Sequence, residues 1–404
     1  MASNEHLGKT LRRLRRLADL TQEELADRSD VSVDVIRQLE QRRKHSARLP
    51  TLHALANALG VELTTLLGDP PAASSGETDG PRFVAVRRAV MPVLWGPSPA
   101  PVDPGFSLDH LRGQIAEGWT HYHTAEFDAV MKALPDLIAD ARSASAHGSD
   151  DDRQGGYAAL GKVLQLAGHV AVRMGKTDLA LMSLERAIDA AERSSDPLLV
   201  PMIVNSLAWT YQRQGRLKDA LHIAVRAADR MKQAGHTGTA AGLKVWGGLT
   251  MSAATSAARS GDYGRAAEMM AVAETEAGRV SKLPDGGDNR MVSVFSPSSV
   301  RIERVRLAVQ YGHPEDALGL AKGMRLSNDT PPSWRTWLLL DVARAHTDLG
   351  DAPGAVKTLE SLRRVAPTWM RHHTLAVAIV RDLWSLPNRP AGLRALAEFL
   401  GVAE

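Results

Sequence analysis

Residues Leu20–Glu40 read LTQEELADRSDVSVDVIRQLE, and this stretch decides the fold of the N-terminal part of the chain. Thr21 is a favourable N-cap, because its hydroxyl can accept a hydrogen bond from an unpaired amide of the first helical turn. Glu24, three residues later, completes a Thr-x-x-Glu capping box. Ser32 is placed to cap a second helix after a short break. The stretch therefore predicts two short helices joined by a tight turn.

The second of these helices has one apolar side and one polar side. Val35, Ile36 and Leu39 form a single apolar stripe, which has to pack against other helices. The side chains left facing outward are Val33, Asp34, Arg37, Gln38 and Gln41. A short helix, a turn and a second helix with polar, base-sized side chains on its free face make a helix-turn-helix arrangement.

Residues Leu7 to Leu67 resemble the helix-turn-helix domain of the Xre/Cro/phage-repressor type. Three runs carry the resemblance, in the order and spacing of that family: TQEELA at Thr21–Ala26, VSVDVIRQLE at Val31–Glu40 and PTLHALANALGV at Pro50–Val61. The resemblance implies a five-helix, lambda-repressor-like DNA-binding domain over residues 1–68. Asp30 stands where the family usually has glycine in the turn, but Asp tolerates the left-handed conformation better than most residues.

The chain as a whole has the composition of a helical protein with more than one domain. It contains 404 residues, no cysteine and only 4% aromatic residues. The lack of cysteine excludes a disulfide scaffold and fits a reducing cytosol. No apolar run approaches the ~20 residues of a membrane span, and the N-terminal MASNEHLGK lacks the apolar core of a signal peptide. We therefore expect an all-α, cytoplasmic protein without membrane contact.

Two basic blocks flank the second helix of the opening stretch. The net charge is only +3, so any binding to nucleic acid has to come from local clustering. One block lies within Lys9–Arg16 and the other within Arg37–Arg48. Either block alone is equally well explained by a solvated helix face. Their position on both sides of a helix with base-sized side chains favours contact with DNA phosphates.

The chemistry of the outward side chains predicts how bases would be read. Gln38 can bond adenine through both amide atoms, Arg37 can reach guanine, and Asp34 can accept from cytosine N4. Arg37 has an alternative role in an intrahelical ion pair with Asp34 or Glu40. The family resemblance implies that Gln22 anchors a phosphate at the start of the preceding helix. The candidate DNA-binding residues are Gln22, Ser32, Val33, Asp34, Arg37, Gln38, Arg42, Arg43 and Lys44.

From Ser107 onward the helical pattern contains an internal repeat. The motif G-x-x-x-x-A recurs at Gly175–Ala180, Gly215–Ala220, Gly261–Ala266, Gly312–Ala317 and Gly350–Ala355, with Thr124–Ala129 as a sixth copy. Small residues twelve positions before the final alanine predict hairpins whose helices cross closely; they are Gly168, Ala208, Ala254 and Ala343. The pattern resembles an array of tetratricopeptide repeats, although the copies are 38 to 51 residues apart rather than about 34.

These signals divide the chain into four parts. Residues 69–106 form a Pro/Gly/Ser-rich linker with an apolar connector, FVAVRRAVMPVLW, whose packing partner the sequence does not reveal. Residues 107–387 form the tetratricopeptide-like α-solenoid, and residues 388–404 contain a C-terminal capping helix. The long stretch Ser281–Ser299 is either a loop folded over a groove or a disordered segment.

Arginine recurs on the face of the solenoid that is expected to line a groove. The candidate ligand-binding residues are Gln165, His169, Arg173, Asn205, Trp209, Arg213, Arg259, Arg306 and Arg344. Their chemistry suits an acidic small molecule, or a peptide whose free carboxylate is held by guanidinium. In the alternative interpretation Arg173, Arg213 and Arg259 only complement the dipoles of helix C-termini.

Nothing in the sequence predicts catalysis. The P-loop, G-x-S-x-G, HExxH and dinucleotide fingerprints are absent. His121 and His123 point to different sides of a helix, and the adjacent His372 and His373 are splayed in the same way. Asp150–Asp152 reads as a solvated loop. We therefore expect no enzyme activity, no cofactor and no metal site.

A helix-turn-helix domain joined to such an array resembles ligand-responsive regulators of Gram-positive bacteria, including the peptide-pheromone-sensing RRNPP-type group. The resemblance implies a homodimer on a palindromic operator in double-stranded DNA, with half-sites about one helical turn apart. A peptide or small-molecule effector in the array would then change the placement of the two DNA-binding domains. The alternative is a DNA-tethered scaffold whose array grips a protein partner.

Overall fold

The computed structural model describes residues 4–41, 43–44, 47–61, 63–67, 80–93, 96, 98–101, 105–280, 282–283, 295–326, 330–371 and 373–402. Within these ranges every regular element is an α-helix, apart from one 3₁₀ turn at His236–Gly238. The all-α fold class predicted from the sequence is therefore confirmed.

The N-terminal domain, which we call the head, contains five helices among its described residues. They are α1 (Asn4–Leu17), α2 (Gln22–Ser29), α3 (Val33–Glu40), α4 (Leu49–Ala58) and α5 (Leu63–Leu67). Their apolar stripes meet in one core, in which Leu11, Leu25, Ile36, Leu55 and Leu66 are fully buried. The five-helix arrangement matches the prediction.

The turn between α2 and α3 forms as its sequence predicts. Thr21 and Glu24 make the reciprocal hydrogen bonds of a capping box, and the Ser32 hydroxyl accepts from the amide of Val35. Asp30 adopts φ 54° and ψ 29°, which is the left-handed conformation that glycine usually supplies at this position. Replacement of the family's glycine by Asp therefore leaves the turn intact.

A second region, which we call the array, is built from six helical hairpins in the described part of the chain. Its helices are α7 (Leu108–His123), α8 (Phe127–Ala146), α9 (Asp150–Arg173), α10 (Thr177–Glu192), α11 (Leu199–Arg213), α12 (Leu217–Gln233), α13 (Ala240–Arg259), α14 (Tyr263–Val280), α15 (Pro297–Gln310), α16 (Pro314–Ala321), α17 (Pro332–Asp348) and α18 (Ala352–Val365), preceded by α6 (Pro81–Val90). The prediction of a head followed by a helical repeat array is confirmed.

The repeat motif forms the turn inside each hairpin. Its five glycines all have positive φ, between 69° and 85°, because the chain reverses there through the left-handed conformation. The alanines that end the motif are at most 1% exposed, so the two helices approach closely at these residues. In the first hairpin the left-handed residue is Ala125, at φ 64°. The sixth copy is therefore Ala125–Val130, and its predicted start at Thr124 is wrong by one residue.

Helix α6 lies inside the segment that the sequence indicates as a linker. Val86 and Val90 are buried as α6 packs against α8, α9 and α10. Arg87 reaches α10, where its guanidinium lies 2.7 Å from the carboxylate of Asp178. The apolar connector thus docks on the first two hairpins, a partner that its own sequence does not specify.

Three short helices follow the last hairpin: α19 (Pro367–Arg371), α20 (Thr374–Trp384) and α21 (Leu393–Leu400). They pack against α17 and α18; α21 lies within the predicted capping segment 388–404, whereas α19 and α20 lie before it. Helix α20 also packs against α4 and α5. One apolar cluster consequently runs from the core of the head into the end of the array, through residues such as Leu66, Ile379 and Leu396.

The head is docked on the array through the turn between α4 and α5. Asn57 donates its side-chain amide to the carbonyl of Gln310 at 2.6 Å, and Arg259 donates to the carbonyl of Gly60 at 3.1 Å. Gly60 has φ +66°, and a Cβ there would lie 2.9 Å from a methyl group of Leu217. The turn therefore fits closely against α12, α13 and α15.

Side-chain hydrogen bonds connect the first helix of each hairpin to the first helix of the next. At least one such contact joins each consecutive pair: Tyr122 with Arg173 (3.2 Å), Gln165 with Ser206 (2.9 Å), Gln212 with Ser256 (2.9 Å), Thr255 with Glu303 (2.7 Å) and Arg306 with Asp341 (3.4 Å). These side chains all belong to what we call the inner face, the surface formed by α7, α9, α11, α13, α15 and α17.

The row of first helices also closes on itself. Nδ1 of His123 in α7 lies 3.0 Å from the hydroxyl of Ser333 in α17. The indole N–H of Trp369 in α19 donates to the carbonyl of His123 at 2.7 Å. The first and last hairpins are therefore in contact, and the inner face forms a ring rather than an open groove.

Candidate nucleic-acid interface and inner face of the array

Helix α3 presents a polar surface on the outside of the head. Ile36 and Leu39 are buried, whereas Asp34 and Gln38 are exposed and Val33 is partly exposed. This is the division between core and free face that the sequence predicts. The side chains proposed to read bases therefore share one accessible surface.

Arg37 is held loosely on that surface. Its guanidinium lies 3.2 Å from Asp34 and 3.4 Å from Glu23, and its side chain is 43% exposed. The intrahelical pair with Asp34 considered from the sequence is thus present, and Glu23 of α2 takes the place of Glu40. Because exposed ion pairs contribute only about 0–1 kcal/mol, this arrangement leaves Arg37 available for DNA.

Glu40 forms a buried ion pair with Arg15 instead of pairing with Arg37. Arg15 of α1 bonds both oxygens of its carboxylate, at 2.6 and 2.8 Å, and the amide of Gln22 donates to one of them at 2.8 Å. The Arg15 and Glu40 side chains are only 11% and 3% exposed. Arg15 therefore does not belong to the solvated basic block in which the sequence places it, and Gln22 points to Glu40 in this structure.

Two opposing effects set the pKa of the Glu40 carboxyl. Burial alone would raise the pKa, but the hydrogen bonds from Arg15 and Gln22, together with the charge of Arg15, lower it below its usual value. The hydrogen bond to Glu40 in turn raises the pKa of Arg15. This charged hub joins α1, α2 and α3, and sequence analysis missed it because its members lie far apart in the chain.

Exposed basic residues lie in α1 and in the segment that follows α3. Arg43 and Lys44 are exposed, and their backbone amides donate to the carbonyl of Gln38 at 2.9 and 3.0 Å, which turns the chain back at the end of the helix. Arg12, Arg13, Arg16 and Arg48 are also exposed. Arg42, another candidate, lies outside the described residues.

The inner face uses several of its predicted ligand-binding arginines for internal contacts. Arg306 pairs with Glu303 at 3.2 Å and with Asp341 at 3.4 Å, and Arg259 bonds the carbonyls of Gly60 and Gln212. These arginines join neighbouring helices, or the head to the array. Their place on the inner face agrees with the sequence, whereas their contacts are to the protein itself.

Arg344 belongs to a buried charged group at the junction with the head. Its guanidinium lies 3.6 Å from the carboxylate of Asp348. Burial lowers the pKa of Arg344, and burial also raises the pKa values of Asp341 and Asp348. Burial, and secondarily the charge of Arg344, lowers the pKa of His53 in α4 to about 2. His53 is therefore neutral where the head meets α17.

The remaining candidates cluster between α9 and α11. The Gln165 amide and Nε2 of His169 both contact the hydroxyl of Ser206, at 2.9 and 2.8 Å. Oε1 of Gln165, Nδ1 of His169 and Oδ1 of Asn205 are buried and have no hydrogen-bond partner among the described residues. Trp209 stacks on the His169 ring, with 5.1 Å between centroids.

Arg173 stands at the centre of an aromatic group that the sequence does not bring together. Its guanidinium carbon lies 5.1 Å from the ring centre of Trp209, 5.3 Å from that of Trp337 and 5.0 Å from that of Trp369. Its Nε donates to the hydroxyl of Tyr122 at 3.2 Å. We call these five residues the Arg173 cluster. Three of its aromatic members (Tyr122, Trp337 and Trp369) were not predicted, because they come from distant helices.

Other charged residues considered from the sequence have structural roles. Asp150–Asp152 forms the first turn of α9, where Asp152 completes a capping box with Ser149, so its interpretation as a solvated loop is wrong. His121 contacts Glu117 and Glu126, and His372 lies outside the described residues. The described residues contain no group of three or more potential ligands that could hold a metal ion. None of their helices has the length and apolarity needed to cross a membrane.

Most of the segment Ser281–Ser299 also lies outside the described residues, at positions 281 and 284–294. Its described end includes Phe295, which is 2% exposed and packs against α13, where a Cβ at Gly247 would overlap its ring. The alternatives of a folded loop and a disordered segment therefore remain predictions for the central part.

Comparison with known proteins identifies the class of the head. A family model described as a helix-turn-helix domain matches residues 6–67. The chain thus consists of a helix-turn-helix domain followed by a long all-helical region. A search of curated proteins finds no match. Among solved structures, BtubC from P. vanneervenii is similar over 64% of this chain and 91% of its own, with 16% identity and a TM-score of 0.35.

Proposed function

We propose that this protein is a sequence-specific DNA-binding transcriptional regulator whose array senses an effector. The observation that carries the proposal is the division of the head into two sides. The face of α3 is exposed among basic residues, while α4 and α5 are docked on the array. One side is thus free for DNA and the other is tied to the sensing region. In this proposal the protein acts by binding, without catalysis.

The head would bind DNA with α3 in the major groove. Gln38 and Arg37 are the base readers, while Arg43, Lys44 and the exposed arginines of α1 supply phosphate contacts. A single head of this size offers few base contacts, so the proposal includes a homodimer on a palindromic operator, as in the RRNPP-type regulators that the chain resembles.

The array would act on the head through their shared junction. Gly60 contacts Arg259 of α13, Asn57 contacts α15, and His53 lies in the field of Arg344 of α17. All three of these helices also form the inner face. A ligand that changes their relative position would therefore move the head, and about 1–3 kcal/mol of coupling is enough to switch operator occupancy.

The test compares two substitutions on an operator selected from a random DNA library. Gln38→Ala should weaken operator binding by roughly 1–3 kcal/mol and leave binding to random DNA unchanged, because it removes a base contact. Arg43→Ala should weaken both equally and reduce the dependence of affinity on salt, because it removes a phosphate contact. Gel shift at several salt concentrations measures both. An unchanged ratio of specific to random binding in Gln38→Ala would contradict the assignment of α3.

A further inference from the structure

Arg173, on the inner face, has no carboxylate within 4 Å among the residues that the structure describes. Arg306 and Arg344 on the same face each lie within 4 Å of an acidic side chain. Arg173 instead donates to the neutral hydroxyl of Tyr122 and is surrounded by tryptophan rings. A charge in such a place attracts an anion.

The tryptophans fix the position of this guanidinium. Three rings at 5.0 to 5.3 Å hold Arg173 from different helices, α11, α17 and α19. Cation–π contact orients the planar group without neutralising its charge. Two nearby imidazoles are affected by that charge. Burial, as the larger cause, and the charge of Arg173, as the second cause, lower the pKa of His169 to about 3 and that of His123 to about 4. Both histidines are therefore neutral.

Buried polar atoms without partners lie beside the Arg173 cluster. His169 stacks on Trp209, the same ring that Arg173 covers, and its Nδ1 is buried without a partner among the described residues. Gln165 is 5% exposed, and its Oε1 is also unsatisfied, as is Oδ1 of Asn205. Native interiors usually satisfy such atoms. Two amide oxygens and one imidazole nitrogen can together receive hydrogen bonds from a bound molecule.

Other cationic side chains also lie against aromatic rings of this face. Lys162 lies 5.6 Å from the ring centre of Trp119, and Arg213 lies 5.8 Å from that of Trp209. Trp209, Trp337, His169 and Asn205 are only partly buried, so solvent reaches this part of the inner face. An aromatic ring in the ligand would match the indole faces that are present.

We propose that the Arg173 cluster binds the carboxylate of a small planar aromatic acid. Arg173 bonds the carboxylate, the aromatic ring of the ligand packs on Trp209 and Trp337, and hydroxyl or amide groups of the ligand donate to Gln165 and Asn205. The inference rests on the proposed effector role of the array, for which it names the ligand class.

Binding by the full-length protein tests this proposal without DNA. Calorimetry compares 2-naphthoate with its uncharged amide and with cyclohexanecarboxylate, which has the charge without the aromatic ring. We expect one molecule of 2-naphthoate per chain, with at least tenfold weaker binding of both controls.

Two substitutions locate the site. Arg173→Gln should weaken 2-naphthoate at least tenfold, and Arg173→Lys should weaken it less, because the charge remains while the planar fork is lost. Arg216→Gln is the matched control, since Arg216 also covers an aromatic ring, Tyr211 at 3.9 Å, but is paired with Asp219. This control should bind 2-naphthoate as the unchanged protein does. Thermal unfolding of each variant, with Arg173→Lys as the milder change, separates loss of binding from loss of fold.

The proposal would be overturned if 2-naphthoate and its amide bound equally well, or if a folded Arg173→Gln variant bound 2-naphthoate as tightly as the unchanged protein. It would also be overturned if none of 2-naphthoate, benzoate and indole-3-acetate bound at millimolar concentration. The result is independent of the DNA test. Selective operator binding without any binding of aromatic acids would reject only this site. Binding of the acid at Arg173 without operator recognition would reject only the regulatory function.

Discussion

At the scale of single residues, the head depends on one buried carboxylate. Glu40 ends α3, yet its oxygens are bonded by Arg15 of α1 and Gln22 of α2. The position of α3, and with it the proposed DNA-reading face, is therefore set by a contact between residues 25 apart in the chain.

Arg15→Met should destabilise the head by about 3–5 kcal/mol, because it leaves the Glu40 carboxylate buried without its partner. The double substitution Arg15→Met and Glu40→Leu should recover a large part of this loss. Urea unfolding combined with hydrogen exchange of the α1–α3 amides measures both effects. Arg394→Met is the control: its ion pair with Glu398 is exposed, so its loss should change stability by less than about 1 kcal/mol. An equally small effect of Arg15→Met would contradict the structural role of the hub.

The same carboxylate predicts a dependence on pH. Its pKa in the folded head is lower than in the unfolded chain, where the pKa of glutamate is about 4.3. Its contribution is therefore complete above that value and is lost as pH falls through the lower folded-state pKa. The unchanged head should be more stable than Glu40→Gln at pH 7, and the difference should shrink below about pH 4. Unfolding free energies of the two proteins across this range provide the measurement. A constant difference would show that Glu40 does not titrate with folding.

The local sequence predicts the helix caps of the head, but it does not predict the contact of Arg15 with Glu40. Thr21, Glu24 and Ser32 act on amides within three residues, so their spacing alone predicts their roles. Arg15 reads as one of several basic residues on α1, because nothing in its neighbourhood in the sequence indicates a partner in α3. Its burial follows from how α1 crosses α3, where a Cβ at Gly8 would overlap the carbonyl of Leu39.

At the scale of secondary structure, the glycines in the turns allow the repeat to be recognised in the sequence. Glycine is needed where the chain takes positive φ after the first helix of a hairpin, so the motif marks helix ends directly. Ala125 takes the same conformation without being glycine, which is why the first hairpin was misplaced by one residue. The partner of α6 was not predictable, because an apolar helix face does not specify which helix it will cover.

Glycine substitutions in the array should have opposite effects according to backbone conformation. Gly261→Ala should destabilise the array by about 1–2 kcal/mol, because alanine is strained at φ +85° even though the space around it is open. Gly113→Ala in α7 should stabilise it by about 0.5–1 kcal/mol, since this glycine lies within an exposed stretch of helix with no nearby atoms. Denaturant midpoints of the two variants measure the effects. Destabilisation by both would mean that φ is not the deciding factor.

At the scale of the whole molecule, contacts that the sequence could not reveal convert an array of hairpins into a closed ring. Helix periodicity predicts which side chains face inward, and Gln165, His169, Arg173 and Arg306 do lie on the inner face. It does not predict that α7 meets α17 and α19, or that the head docks on the junction of α12, α13 and α15. The inward arginines consequently differ in their contacts: Arg259 and Arg306 join different helices, Arg344 pairs with Asp348 within α17, and Arg173 is left with aromatic neighbours.

Docking of the head gives the last prediction. Arg259 and Asn57 supply the hydrogen bonds defined between the α4–α5 turn and the array, so replacing both with alanine should loosen the head. The chain has no cysteine, and a spin-label pair at Arg13→Cys and Lys132→Cys, both exposed, reports the distance between head and array.

We expect one narrow distance distribution in the otherwise unchanged protein and a broad one in the Asn57→Ala and Arg259→Ala double variant. Arg216→Ala, which removes an arginine bonded to Asp219 three residues later at the start of α12, is the control and should leave the distribution narrow. Broadening confined to the junction variant would support transmission from the inner face to the head through α13 and α15. An equally narrow distribution in that variant would mean that the apolar contacts of α20 with α4 and α5 hold the head by themselves, and the proposed route of coupling would then be wrong.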